Sequence, residues 1–217
     1  MVCCNKKVCS RLFSQVSTLF GIDFEIRGIK NIPKDKSCLI IGPHQSIIDA
    51  AGLYKAFPLF WKTVVVVKKE LKEIPVLGYF LSLIECFIFI NRQDRNETIE
   101  TYRSVLNSNK DQVVHFAVFI EGTRNLKRKL LPFKRAPFKL ALEYRLPILM
   151  IANSQYEWYR KDKPKTTINA LTKILPAMPI ENFNEENIHE LIQYCQDTLQ
   201  MECDKLNKEI DERDQVQ

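Results

Sequence analysis

Short apolar runs alternating with helical patterns predict an α/β layered domain, in which helices flank a mixed, largely parallel sheet. An amphipathic N-terminal helix and a long C-terminal helix complete the outline. The runs are dense in Val, Ile and Phe rather than alternating with polar residues, the look of strands buried on both faces. With 217 residues, 46% hydrophobic and 27% charged, the composition excludes collagenous, low-complexity and wholly disordered classes.

Residues 8–24 set Val8, Leu12, Val16, Leu19 and Phe20 at helical spacing, with Lys6, Lys7 and Arg11 at the start. Segment 1–24 is therefore read as an amphipathic helix. Basic flanks of this kind suit anionic headgroups, which makes it a candidate membrane contact, with packing on the domain as the alternative. The main domain is expected over residues 25–182, with strands at 38–42, 63–67, 86–90, 113–119 and 147–152 and helices at 48–57, 70–83, 95–107 and 138–144. Beyond Pro176 and Pro179 the pattern changes. Ile188, Leu191, Ile192, Cys195, Leu199, Cys203, Leu206 and Ile210 trace one stripe along an acidic helix in 183–217. That stripe is expected to dock on the domain and leave the acidic face in solvent.

Charge is divided unevenly. Residues 181–217 hold 11 acids and 3 bases, leaving 15 acids and 29 bases in residues 1–180. So basic a body attracts phosphate-bearing partners, and charge alone does not choose among nucleic acid, an anionic membrane and a phosphorylated metabolite. Nucleic acid is disfavoured because Phe is concentrated in apolar runs rather than interleaved with cations. Seven cysteines without a CxxC pair argue against a disulfide framework or a zinc site, and no metal is expected. Cys3, Cys4 and Cys9, beside Lys6, Lys7 and Arg11, read as ordinary free thiols, with reversible acylation as the alternative. The most apolar run, residues 74–90, contains Pro75, Gly78 and Glu85 and falls short of the ~20 apolar residues a membrane-spanning helix needs.

Three histidines are present. His115 in an apolar strand and His189 in a helix read as structural imidazoles. His44 instead follows a buried-type strand and precedes a helix, at the strand's C-terminal edge, where α/β folds place their sites. Asp49 lies about one helical turn further on, close enough for its carboxylate to meet Nδ1 and leave Nε2 as a base. A structural reading of the pair stays open. Ser46 has no G-x-S-x-G context and is expected to cap the following helix, not to act as a nucleophile.

Cations recur at the other strand exits: Lys68 and Lys69, Arg92, and Arg124. Together they can clamp a phosphate, unless they are merely scattered surface charges. Glu121, Gly122, Thr123 and Arg124 form a polar turn after an apolar strand. Gly122 permits close backbone approach, Thr123 and Arg124 offer donors, and Glu121 is a candidate to hold an arginine in place. Lys134 and Arg135 add cations just before a helix N-terminus that itself favours anions.

In this order the pieces resemble the glycerolipid acyltransferase family, most closely its 1-acyl-sn-glycerol-3-phosphate members. HQSIID resembles the His-x4-Asp block, FIFINR a block ending in Arg, FIEGTR the Phe-Pro-Glu-Gly-Thr-Arg block and LPILMI a Val-Pro-Ile-Val-Pro-like strand. The resemblance covers roughly residues 19–182. Departures fall at Pro43 for Asn, Ile120 for Pro, Asn125 for Ser, Ala136 for Gly and Met150 for Pro, and the family's usual N-terminal hydrophobic spans are missing from these residues.

The resemblance implies an acyltransferase catalytic domain with His44 as general base and Asp49 as its orienter. Arg92, Glu121, Gly122, Thr123, Arg124, Lys68, Lys69 and Lys134 would bind the acceptor's phosphate, and the apolar stretch before Arg92 would line the acyl path. The implied reaction is direct transfer from acyl-CoA, a co-substrate rather than a cofactor, to the sn-2 hydroxyl of lysophosphatidic acid, without a covalent acyl-enzyme. Glycerol 3-phosphate or another lysophospholipid is the alternative acceptor, and a catalytically silent lipid-binding module the alternative role. A membrane surface is the implied partner and nucleic acid is not. The implied location is the cytosolic face of a membrane, the endoplasmic reticulum in a eukaryote.

Overall fold

In the computed structural model, residues 21–46, 49, 63–74, 87–90, 95–109, 112–156 and 168–215 are described. Seven strands form one sheet: β1 (Ile22–Arg27), β2 (Leu39–Gly42), β3 (Thr63–Lys68), β4 (Phe87–Ile90), β5 (His115–Phe119), β6 (Ile148–Asn153) and β7 (Ile168–Ile174). Among the described residues three α-helices accompany them, α1 (Arg95–Ser108), α2 (Arg135–Glu143) and α3 (Ile188–Gln215). The strand order is β1-β7-β6-β2-β5-β3-β4. Every neighbouring pair is parallel except β6 with β7, so the mixed, largely parallel sheet expected from the sequence is present.

Parallel pairing has a consequence for function. Strands β6, β2, β5, β3 and β4 all run the same way, so their C-terminal ends share one edge of the sheet. The apolar runs are buried as their composition demands: Leu39, Ile40 and Ile41 of β2 and Ile148 through Ala152 of β6 all lie in the core.

The N-terminal reading needs correction. Ile22 and Phe24 alternate with exposed Asp23 and Glu25 on strand β1, so the segment read as helical to residue 24 gives way to a strand by residue 22. A period of two hidden at the end of a helical pattern caused the error, and a boundary at residue 25 falls inside β1. The rest of that helical reading lies outside the described residues, as does helix 48–57 apart from Asp49.

Strand β7 was not foreseen, because INALTKI offers neither a continuous apolar run nor clean alternation. Helix α2 begins at Arg135 rather than at residue 138. Pro137 sits in its first turn, where a missing N–H breaks no intrahelical bond. A short 3-10 turn, Lys69–Glu73, opens the region read as helix 70–83, and residues 75–83 lie outside the described set.

The expected C-terminal stripe packs on β6 and β7, with Ile188, Leu191, Cys195, Leu199, Cys203, Leu206 and Ile210 buried. The polar side is less solvated than expected. Glu209 takes a two-pronged bond from Arg27 at 2.7 and 2.8 Å, Asp211 another from Arg128 at 2.7 Å, and Glu202 meets Lys173 at 2.5 Å. The acidic helix is thus also matched by charge to the basic body beneath it. Cys38, Cys195 and Cys203 are free thiols, each pushed up to about 12 by burial.

Candidate active site

Loop residues after β2 wrap around one carboxylate. Asp49 is buried, and its Oδ2 accepts from His44 Nδ1 at 2.8 Å, from the backbone N–H of Gln45 at 2.7 Å and from that of Ser46 at 2.9 Å. Its Oδ1 accepts from the Tyr156 hydroxyl at 2.5 Å. The loop-to-helix bend expected from the five-residue spacing is therefore made, and the carboxylate fixes the imidazole tautomer with hydrogen on Nδ1. Nε2 carries no hydrogen bond among the described residues, and the side chain keeps 15% of its surface exposed. Such an imidazole can take a proton from a hydroxyl, and the carboxylate then stabilises the imidazolium.

The His44 backbone and ring are held as firmly. Its N–H donates to Glu121 Oε1 at 3.2 Å, its carbonyl accepts from the Asn125 N–H at 2.7 Å, and its ring stacks on Phe119 at 4.1 Å between centroids. Ser46, expected as a helix cap, has its hydroxyl 3.3 Å from that of Tyr156.

Glu121 is corrected as a phosphate ligand and as a holder of arginine. It is 2% exposed, and besides the His44 N–H it accepts from Asn125 Nδ2 at 2.7 Å and from the Leu131 N–H at 2.8 Å. Three donors from the protein occupy the carboxylate, and a second anion beside it would be repelled. Its work is to tie the β2 loop, the β5 turn and the segment leading to α2 together. Asn125 adds bonds to the Lys129 carbonyl and from the Lys127 N–H.

The turn itself is as expected. Gly122 has φ 72°, and its N–H closes on the Phe119 carbonyl at 3.0 Å. A Cβ placed there would lie 3.0 Å from Lys134 Cε, so the Lys134 stem passes directly over Gly122. Thr123, Arg124 and Lys134 are exposed beside it, and Lys134 precedes the first residue of α2. The structure thus brings His44, Asp49, the Glu121–Arg124 turn and Lys134 to adjoining strand exits.

Lys69 is placed differently, at the end of β3, two strands from β2 or about 10 Å along the sheet, with its ammonium 3.9 Å from Glu97. Lys68 closes β3, and its side chain and all of Arg92 lie outside the described residues. An apolar depression beside Pro43 and Phe119 is lined by Ile40, Val65, Val118 and Ile151 among others.

Residues 23–154 match the family model described as Acyltransferase. The chain belongs to the Acyltransferase family. The human 1-acyl-sn-glycerol-3-phosphate acyltransferase alpha is 30% identical over 86% of this chain and 66% of its own length. The 1-acyl-sn-glycerol-3-phosphate acyltransferase of Saccharomyces cerevisiae is 31% identical over 88% of this chain and 64% of its own. The chain therefore spans slightly under two thirds of each. The crystal structure of the 1-acyl-sn-glycerophosphate (LPA) acyltransferase PlsC from Thermotoga maritima shares the fold, with a TM-score of 0.71 at 22% identity, over 93% of this chain and 79% of that one.

Within this acyltransferase domain, the sequence reading missed Tyr156, Phe119 and the anchoring role of Asn125. The signal for Tyr156 was its place, three residues past the end of β6, which borders β2 on the side away from β5. His115, read as structural, is so: it is buried, its Nδ1 lies 3.0 Å from Cys38 Sγ, and burial lowers its pKa.

Proposed function

We propose that this chain is an O-acyltransferase that moves an acyl group from acyl-CoA to the sn-2 hydroxyl of lysophosphatidic acid, giving phosphatidic acid. The observation that carries this is the His44–Asp49 pair, with Nδ1 bonded and Nε2 open, next to the cationic turn of Arg124 and Lys134. Family membership and the names of the human and yeast relatives support the acceptor.

His44 Nε2 takes the hydroxyl proton as the oxygen attacks the thioester carbonyl. The carbon–sulfur bond then breaks, and the imidazolium returns its proton to the leaving thiolate. A thioester is already activated, so no covalent acyl-enzyme is required. Gly122, Thr123, Arg124 and Lys134 receive the acceptor phosphate, helped by the N-terminus of α2. Arg92, Lys68 and Lys69 belong to the same proposal as outer cations, and the apolar stretch before Arg92 lines the acyl path.

The partner surface is a membrane, since both substrates carry acyl chains. No helix among the described residues is long and apolar enough to cross a bilayer. Loop 124–129 instead sets Leu126, 42% exposed, among Arg124, Lys127 and Lys129, a composition suited to an anionic cytosolic leaflet.

Purified protein given acyl-CoA and lysophosphatidic acid is expected to release free thiol and to form phosphatidic acid, read by thiol titration and mass analysis. Lipid binding without thiol release would support a silent module instead. Thiol release with glycerol 3-phosphate alone would reassign the acceptor.

A further inference from the structure

We infer that Tyr156 is a positioning residue for the transfer, locking the Asp49 carboxylate in the orientation that faces the imidazole. This rests on the His44 reading above. The three donors on Asp49 Oδ2 all come from the 44–46 loop itself. The carboxylate's rotation about Cβ–Cγ is governed by a broad, roughly two-fold torsion, so a bond to Oδ1 adds a restraint that three bonds from a single loop do not supply. The Tyr156 hydroxyl does this at 2.5 Å. It comes from the segment that follows β6, and so couples the dyad to the body of the sheet.

Tyr156 is itself immobilised. It is 1% exposed, and its ring meets Phe24 of β1 edge-on at 5.4 Å and 78°. Just before it, the Ser154 carbonyl accepts from Gln45 Nε2 at 2.8 Å, and the Ser154 hydroxyl accepts from the Leu171 N–H at 2.9 Å. The exit of β6 is thus tied both to the His44 loop and to β7. A phenol donating to Asp49 also withdraws charge that the imidazole would otherwise feel, so the benefit is orientation rather than added basicity.

Tyr156→Phe removes only the hydroxyl. It is expected to lower kcat about tenfold while both KM values stay within about twofold, a geometric loss expressed in the transition state. In an Asp49→Asn background the same change should alter kcat by less than about twofold, because nothing useful remains to be oriented. Equal tenfold losses in both backgrounds, or no loss in the wild-type background, would overturn the proposal.

A second readout needs no turnover. The downfield proton signal of His44 Nδ1–H, assigned by its disappearance in His44→Ala, is expected to shift or broaden in Tyr156→Phe. Phe24→Leu loosens the ring without touching the hydroxyl and should shift the same signal by less. A signal unmoved in both variants contradicts the role. If the wild-type protein transfers no acyl group to any acceptor, the functional reading fails, while this signal still decides whether Tyr156 sets the dyad's geometry.

Discussion

Carboxylates are held in two opposite ways at the strand exits and along α3. At the strand exits, Asp49 and Glu121 are buried and bonded to the imidazole, a phenol, an amide and backbone N–H groups. On α3, by contrast, Glu202, Glu209 and Asp211 meet Lys173, Arg27 and Arg128 directly. The difference teaches what each region is for. Pairing acids with cations fastens a helix to a sheet. Satisfying acids without Arg or Lys leaves Arg124 and Lys134 uncommitted among the described residues, as the phosphate role proposed for them requires.

The comparison can be broken most severely at Glu121. Glu121→Gln places an amide donor against backbone or Asn125 donors, and a buried mismatch of this kind is expected to cost about 3 kcal/mol in a urea titration. It should also lower kcat at least about tenfold by releasing the His44 loop. Unchanged stability would mean that Glu121 is not the tie that its bonds suggest.

A smaller effect is expected on the cationic rim. Arg124→Ala and Lys134→Ala should each raise the acceptor KM about tenfold, the worth of one charge-assisted hydrogen bond, with kcat within about twofold. Initial-rate series in acceptor concentration check this. A fall in kcat with KM unchanged would remove these residues from ground-state phosphate binding.

The smallest effect belongs to α3. The Glu209 carboxyl is held down to about 2, from an ordinary 4.5, chiefly by its bond to the Arg27 guanidinium. A depressed carboxyl adds stability that is fully present above pH 4.5 and is lost as pH falls through about 2. The pair is partly exposed, so Glu209→Gln should cost at most about 1 kcal/mol near neutral pH, less in high salt. Urea midpoints at neutral and acidic pH give the difference, which should shrink on the acid side. A cost that grows with acid would contradict the pairing.

These regions were unequally legible in the sequence. The core strands announced themselves because burial on both faces leaves no room for polar alternation, as in LIIG and ILMIAN. His44 and Asp49 were visible because their partnership is local, within one loop and one turn. Glu121 was misread because its three donors come from residues 44, 125 and 131, and nothing in FIEGTR says that the acid turns inward while the arginine turns out. Tyr156 was hard to assign for the same reason, being 107 positions from its acceptor, with only its place just past β6 as a signal. Strand β1 was lost because Ile22 and Phe24 continued a helical pattern, and only pairing with β7 gives them their period of two.

The central claim is that the open nitrogen of His44 takes the acceptor's proton. The most direct test measures kcat and acceptor binding of His44→Ala beside the wild type, with acyl-CoA and lysophosphatidic acid. A loss of at least about a thousandfold in kcat with binding within about twofold is the predicted result. A variant that keeps a tenth or more of the wild-type kcat would contradict it.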